Sequence, residues 1–240
     1  MTSPYCLSLE GNPATLKSRL FQLLEKKYEN YRNKIIFIKE PVESFINLKD
    51  NNNVSHGNPF VKLFKKRISA STLQHHVLNC MEEEYGKIQA KNDLSQIKVI
   101  ISDRSLVSAT VFIAYYLGKG QMSKDEANIL LNRMELIKQK LFPLGQPNKM
   151  IFLKLPVETN RKIMKNRNRD GETLIITKKY LQDINRLYET CFPCMLDEND
   201  DFSHICNIIN EKLELTNLEI EKLPNVIDIR AKIINDIVNN

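Results

Sequence analysis

The segment Tyr5-Cys6-Leu7-Ser8-Leu9-Glu10 reads as a buried strand, and it runs without a linker into Gly11-Asn12-Pro13-Ala14-Thr15-Leu16-Lys17-Ser18. That junction constrains the chain to an open α/β sheet in which a tight turn follows the first strand and opens the first helix. The turn matches the pattern Gly-x4-Gly-Lys-Ser at every required position but one, where Leu16 stands for the second glycine. Such a turn aims successive backbone N–H groups into one concavity at a helix N-terminus and draws phosphates there. Lys17 would then reach the terminal phosphates of a nucleotide, and the Ser18 hydroxyl would ligate Mg²⁺. Leu16 is a physical exception, because a leucine held at positive φ costs on the order of 1–3 kcal/mol and its side chain crowds the phosphates.

The 240 residues suit one α/β domain spanning 1–240, long enough for a sheet covered on both faces. No apolar run reaches membrane-spanning length, and the first strand begins too early for a signal or transit peptide. The expectation is therefore a cytoplasmic or nuclear protein. A net charge of +6 suits a phosphorylated ligand and does not by itself argue for nucleic acid. The five cysteines are odd in number and scattered, which fits a reducing compartment. Cys191-Phe192-Pro193-Cys194 has redox spacing but reads as the end of a helix, and the four histidines show no metal-ligand spacing with the cysteines.

Five short apolar or β-branched runs alternate with helical patterns, the mark of a parallel sheet built from βαβ units. They are 5–9, 34–38, 99–102, 150–155 and 225–229. Ser123 and Glu126 form a capping box for a helix reaching about Leu141, and the polar stretch 50–59 reads as a loop.

In open parallel sheets ligands gather at the C-terminal ends of the strands. The second strand ends in Lys39-Glu40-Pro41-Val42-Glu43, and the third in Asp103-Arg104-Ser105. A carboxylate at one end and a carboxylate–arginine pair at the other, both facing a phosphate turn, suit phosphoryl transfer. Arg161-Lys162-Ile163-Met164-Lys165-Asn166-Arg167-Asn168-Arg169 holds five cations in nine residues. It reads as a lid, about 161–176, that folds over a triphosphate and excludes water. A solvated face and a nucleic-acid contact are the alternatives, the second without interleaved aromatics to support it.

Together these motifs resemble the deoxyribonucleoside kinase family from Leu7 to about Glu189. "LSLEGNPATLKS" is similar to the family's first strand and phosphate loop, "EPVE" to its base motif, "DRS" to its Glu-Arg-Ser, and the Arg-rich run to its lid. The resemblance implies a P-loop NTPase-like three-layer α/β/α fold, a five-stranded parallel sheet, ATP as phosphate donor and Mg²⁺. It implies Glu40 as general base for the 5′-hydroxyl, Arg104 as a phosphate and nucleophile contact, and Asp103 as a metal ligand with Ser18. Arg167 and Arg169 match the paired lid arginines, with Lys162 or Arg161 replacing an earlier one. Glu172 falls where the family holds the sugar 3′-hydroxyl. Gln74 matches the glutamine that reads the base edge, and Val77, Met81 and Ala109 resemble the thymidine-accepting members. Phe45 stands for a Trp, Ile113 for a base-stacking Phe with Phe112 adjacent, and Phe64 or Leu63 for a sugar-binding Tyr. Asp228, Ile229 and Arg230 fit the adenine loop by chain distance, while "DENDDF" at 197–202 fits by letters.

These implications predict ATP-dependent phosphorylation of thymidine or deoxyuridine, with deoxycytidine next, by a homodimer that needs neither membrane nor nucleic acid. Thymidylate kinase is the neighbouring reading. A fold-retaining pseudokinase or structural subunit is the non-enzymatic one, and Leu16 is its chief support.

Overall fold

A computed structural model describes residues 3–49, 52, 57–169 and 171–224. In chain order it contains β1 (Tyr5–Glu10), α1 (Lys17–Lys27), β2 (Ile35–Ile38), α2 (Val42–Phe45), α3 (Pro59–Phe64), α4 (Ala70–Lys91), β3 (Val99–Asp103), α5 (Ala109–Gly118) and α6 (Lys124–Lys140). There follow β4 (Lys149–Phe152), α7 (Val157–Arg167), α8 (Glu172–Ile175), α9 (Lys178–Cys191), β5 (Leu196–Asp197), α10 (Phe202–Leu213) and α11 (Asn217–Glu221). All strand pairs are parallel, in the order β2-β3-β1-β4-β5. The expected capping box of Ser123 and Glu126 opens α6, and Cys191 ends α9.

Strand alternation assigns each apolar residue to a layer. Leu7, Leu9, Ile35, Val99, Ile101 and Ile151 face α1 and α10, where Leu20, Phe21, Leu24, Ile205 and Ile209 cover them. The intervening Cys6, Ile36, Ile38 and Ile100 face α4, α5 and α6. Met150 and Phe152 continue that second face under α7 and α9. Both faces of the sheet are thus dry, which is why its strands read as nearly continuous apolar runs. The same parity governs the strand ends. Asp103 continues the Val99–Ile101 series toward α1, whereas Glu10 continues the Cys6–Ser8 series toward α9.

The fifth strand of the described sheet is one that the sequence did not single out. It is the two-residue Leu196–Asp197, beside β4 through Met150 and Ile151. Residues 225–229, expected to form it, lie outside the described residues, as do Asp228, Ile229 and Arg230. A strand of two residues carries no alternation to read, so the sequence does not reveal it. "DENDDF" begins on the observed strand and continues into α10.

Gly11 has φ 131°, and a Cβ there would stand 2.5 Å from the Leu153 carbonyl oxygen. That approach is fixed because Leu153 N–H donates to Glu10 O at 2.9 Å, one step past the end of β4. Gly11→Ala is expected to cost about 2 kcal/mol through the backbone clash and the strained φ. For a chain of this size that lowers Tm by about 4–8 °C. A melting curve superimposable on the wild type would mean that the turn relaxes freely.

Candidate active site

The C-terminal ends of β1, β2 and β3 open onto a cavity of about 530 Å³, walled by the phosphate turn, α4, α5 and the lid formed by α7 and α8. Pro13 through Ser18 line it, but Gly11 and Asn12 lie buried beneath. Asn12 is an anchor: its Nδ2 donates to Leu181 O at 2.9 Å and to Asn185 Oδ1 at 2.6 Å, tying the turn to α9. On the lid side, Asn160 Nδ2 donates to Pro13 O at 3.1 Å.

The turn keeps the backbone that the missing glycine would have had. Leu16 has φ 62° and Ala14 φ 61°, both left-handed, and Leu16 caps α1 without a side-chain acceptor. The N–H groups of the first turn of α1 therefore remain for an anion. Lys17 folds back onto the turn, donating to Asn12 O at 2.8 Å and Gly11 O at 3.2 Å. Burial is the main cause holding its pKa down at about 7, reinforced by Arg104 and opposed by Asp103, Glu40 and Glu10.

Ser18 Oγ donates to Asp103 Oδ2 at 2.7 Å, as strand parity requires. Asp103 Oδ1 is buried with no hydrogen-bond partner. A hydroxyl and a carboxylate with one spare oxygen fit Mg²⁺, which takes one or two protein oxygens and fills its octahedron with water and phosphate. No group of three or more His, Cys, Asp or Glu among the described residues forms a self-sufficient metal cage.

Across the cavity Glu40 Oε1 pairs with Arg104 Nε at 3.0 Å. Burial raises the Glu40 pKa most, Arg104 opposes that, and Asp103 adds to it. Arg104 is buried at φ 69°, and its Nη1 donates to the Tyr188 hydroxyl at 2.9 Å. The Phe112 ring lies over its guanidinium at 5.3 Å. Glu10, fully buried, accepts from Ser105 N, Ser105 Oγ and the Tyr188 hydroxyl.

At the base end, Gln74, Val77 and Met81 present one stripe of α4 to the cavity, joined by Ala109, Phe112, Phe45 and Phe60. Gln74 Oε1 is buried and has no partner. Two expected contacts are corrected. Ile113 packs into the core between α4 and α6 because one residue turns the helix by 100°, leaving Phe112 at the cavity. Phe64 ends α3 and is 63% exposed; Phe60, one turn earlier, lines the site instead.

The lid brings Arg167, Arg169, Asn166 and Glu172 to the cavity. Arg167 donates through Nε to Glu172 Oε2 at 3.1 Å and through Nη2 to Glu172 Oε1. Two residues expected to serve different parts of the ligand thus hold each other. Arg161 and Lys162 line a separate small groove with Lys165 and do not replace a cavity arginine.

The motifs did not reveal Tyr180, Tyr188, Phe60 or Asn166. Tyr180 and Tyr188 sit at core spacing along α9 with Leu181 and Ile184, so the pattern reads as packing. The only hint is two hydroxyls on an apolar face.

Lys17 generates a pH prediction. A bound triphosphate favours the ammonium form, which the free protein holds only below about pH 7. Affinity for magnesium ATP should therefore be greatest near and below that pH and fall as pH rises toward 9, by up to about tenfold per unit. Calorimetry in buffers of different ionisation enthalpy should register proton uptake on binding at pH 8. A pH-independent Kd would mean that Lys17 stays charged throughout.

The family model described as deoxynucleoside kinase matches residues 7–235. No curated protein matches. A solved deoxyadenosine kinase from M. mycoides, with products dCMP and a flexible dCDP bound, superposes with a TM-score of 0.58 at 19% identity. The superposition covers 87% of this chain and 98% of the other, a likeness of fold. No helix among the described residues is long and apolar enough to cross a membrane. The family match over nearly the whole chain, on a parallel sheet whose strand ends carry a phosphate turn, an acid and an arginine, means that this chain belongs to the deoxynucleoside kinase family, kinases that take ATP and a nucleoside as substrates.

Proposed function

We propose that this kinase transfers the terminal phosphoryl group of ATP to the 5′-hydroxyl of a pyrimidine deoxynucleoside, with thymidine or deoxyuridine preferred over deoxycytidine. The supporting observation is the base end of the cavity. The one polar group from α4 there is Gln74, with its Oε1 unpartnered, and its neighbours are Val77, Met81 and Ala109. A rotatable carboxamide can serve any base edge that offers a donor beside an acceptor. Discrimination therefore falls to the surroundings, which are apolar, accommodate a 5-methyl group and offer no charged partner to an exocyclic amine.

Glu40 accepts the hydroxyl proton. Its half-buried setting makes it a stronger base than a solvated carboxylate, and Arg104 keeps it ionised and aimed. Arg104, Lys17, Arg167 and Arg169 spread the charge of the transferring group. Ser18 and Asp103 would hold Mg²⁺, which neutralises phosphate oxygens when bound. Glu172 binds the sugar 3′-hydroxyl, and Arg167 must exchange it for phosphate. The homodimer expected from the family has a candidate face in Ile129 and Leu136, exposed seven residues apart on α6.

The test is a rate comparison with ATP, Mg²⁺ and each deoxynucleoside. The highest kcat/KM is expected for thymidine or deoxyuridine; a preference for deoxyadenosine would overturn the pyrimidine assignment, and turnover of thymidine monophosphate would favour thymidylate kinase. Glu40→Gln should lower kcat by about 10²–10⁴-fold while nucleoside affinity is retained. Unchanged turnover would remove Glu40 from the mechanism.

A further inference from the structure

Arg104 is held in an unusual way for an arginine beside a carboxylate. Such pairs are often bidentate, two parallel N–H groups on two oxygens. Here the ion pair with Glu40 runs through Nε, while Nη1 is turned away and donates to the Tyr188 hydroxyl at 2.9 Å. The third nitrogen, Nη2, has no hydrogen-bond partner among the described residues, and Arg104 lines the cavity. Two nitrogens are thus committed, Nε to Glu40 and Nη1 to α9, and the third carries no hydrogen bond.

What fixes this arrangement lies behind it. Glu10 ends β1 fully buried, and its Oε1 accepts two hydrogen bonds from Ser105, N–H and Oγ, at 2.8 Å each. Its Oε2 accepts the Tyr188 hydroxyl proton at 2.9 Å. A tyrosine has one such proton. With that proton committed to Glu10, the phenolic oxygen turns a lone pair toward Arg104, which can only donate. The chain Arg104 to Tyr188 to Glu10 thus runs in one direction, and every member is buried, so water cannot substitute for a lost link. The Tyr188 ring is itself wedged, with centroids 5.1 Å from Phe152 and 6.5 Å from Phe192.

We propose that Tyr188, oriented by Glu10, is a positioning residue for phosphoryl transfer: by holding Nη1 it fixes the rotation of the Arg104 guanidinium, keeps Nε at Glu40, and leaves Nη2 for the phosphate. The inference rests on the reading of Glu40 and Arg104 given above. It assigns roles to two residues that touch neither substrate, and it makes the direction of a buried hydrogen bond part of the site.

Two conservative variants test it. Tyr188→Phe keeps the ring and deletes the hydroxyl. Glu10→Gln is isosteric, but with its oxygen held by the two Ser105 donors its amide turns N–H toward Tyr188. The tyrosine proton is then driven toward Arg104, and the link breaks. Each variant should lower kcat by about 10–100-fold, and each should leave KM for ATP and nucleoside within about twofold of wild type. The double variant should be no worse than the poorer single one, because both cut one chain. A merely structural pair would lower Tm and leave kcat alone, and that result would overturn the proposal, as would additive losses.

Calorimetry with a deoxynucleoside monophosphate separates this proposal from the functional reading. Both variants should bind the monophosphate about tenfold more weakly and the bare nucleoside as the wild type does. If the wild type turns over no nucleoside, the functional reading fails while this comparison still decides the role of Tyr188. Equal monophosphate affinities in wild type and both variants would refute it.

Discussion

The buried guanidinium of Arg104 is the charge around which the rest of the site is arranged. Three carboxylates, Glu10, Glu40 and Asp103, and the Lys17 amine surround it in a region with little access to water. A buried ion must be paired and hydrogen-bonded, and stripping one partner from such a pair costs about 3–5 kcal/mol. Arg104 meets that demand with Glu40 on one side, Tyr188 on another and the face of Phe112 beneath. Its φ of 69° is tolerated because its N–H still donates to Leu9 O at 3.1 Å, continuing the β1–β3 ladder one step past the strand. Backbone strain of this kind persists only where the surroundings over-determine it. Here the ladder, the ion pair and α9 all do so.

Strand parity turns one sheet into two different workshops. At the end of β3, Asp103 follows the buried Val99–Ile101 series to the α1 side and meets Ser18, while its neighbour Arg104 turns to the side of α9 and Glu40. At the end of β1, Glu10 follows Cys6 and Ser8 to the Arg104 side. The residues proposed to hold a metal and those proposed to activate the hydroxyl are thereby separated by a single peptide unit. A one-residue slip in register would exchange them and would also expose the apolar set of each strand. The core and the site are therefore specified by the same alternation, which is why the fold leaves little freedom in where the charged ends point.

This also explains what the sequence could reveal. Four of the five strands, the phosphate turn, Glu40, Asp103-Arg104 and the α4 stripe were legible, because each lies in a contiguous motif with a fixed period or at the end of an apolar run. The fifth strand was not, since Leu196–Asp197 is too short to show a period. Ile113 was misassigned because adjacent letters on a helix differ by 100° in direction and only packing decides which one faces a cavity, and Phe64 because it lies one turn beyond Phe60, exposed at the end of α3. Tyr188 and the role of Glu10 were hidden for a deeper reason. A buried hydroxyl on an apolar stripe looks like core, and its partners lie 84 and 178 residues away in the chain.

Leu16 carries the question of whether such a site still works. Its left-handed backbone alone does not answer it, because the side chain also packs against the apolar cluster of α5, α7 and α9, which offsets the strain whether or not phosphate binds. The stronger argument is the company it keeps. A scaffold that had given up phosphate would have no reason to bury Lys17 on the turn, keep an unpartnered Asp103 oxygen beside Ser18, or aim Glu40 and Arg104 into a 530 Å³ cavity. Each of those features costs desolvation or leaves a polar atom unsatisfied, and apolar replacements would be more stable. Their coexistence in one cleft is what a structural subunit would be expected to lose first, and it weighs toward a turn that still cups an anion around its leucine.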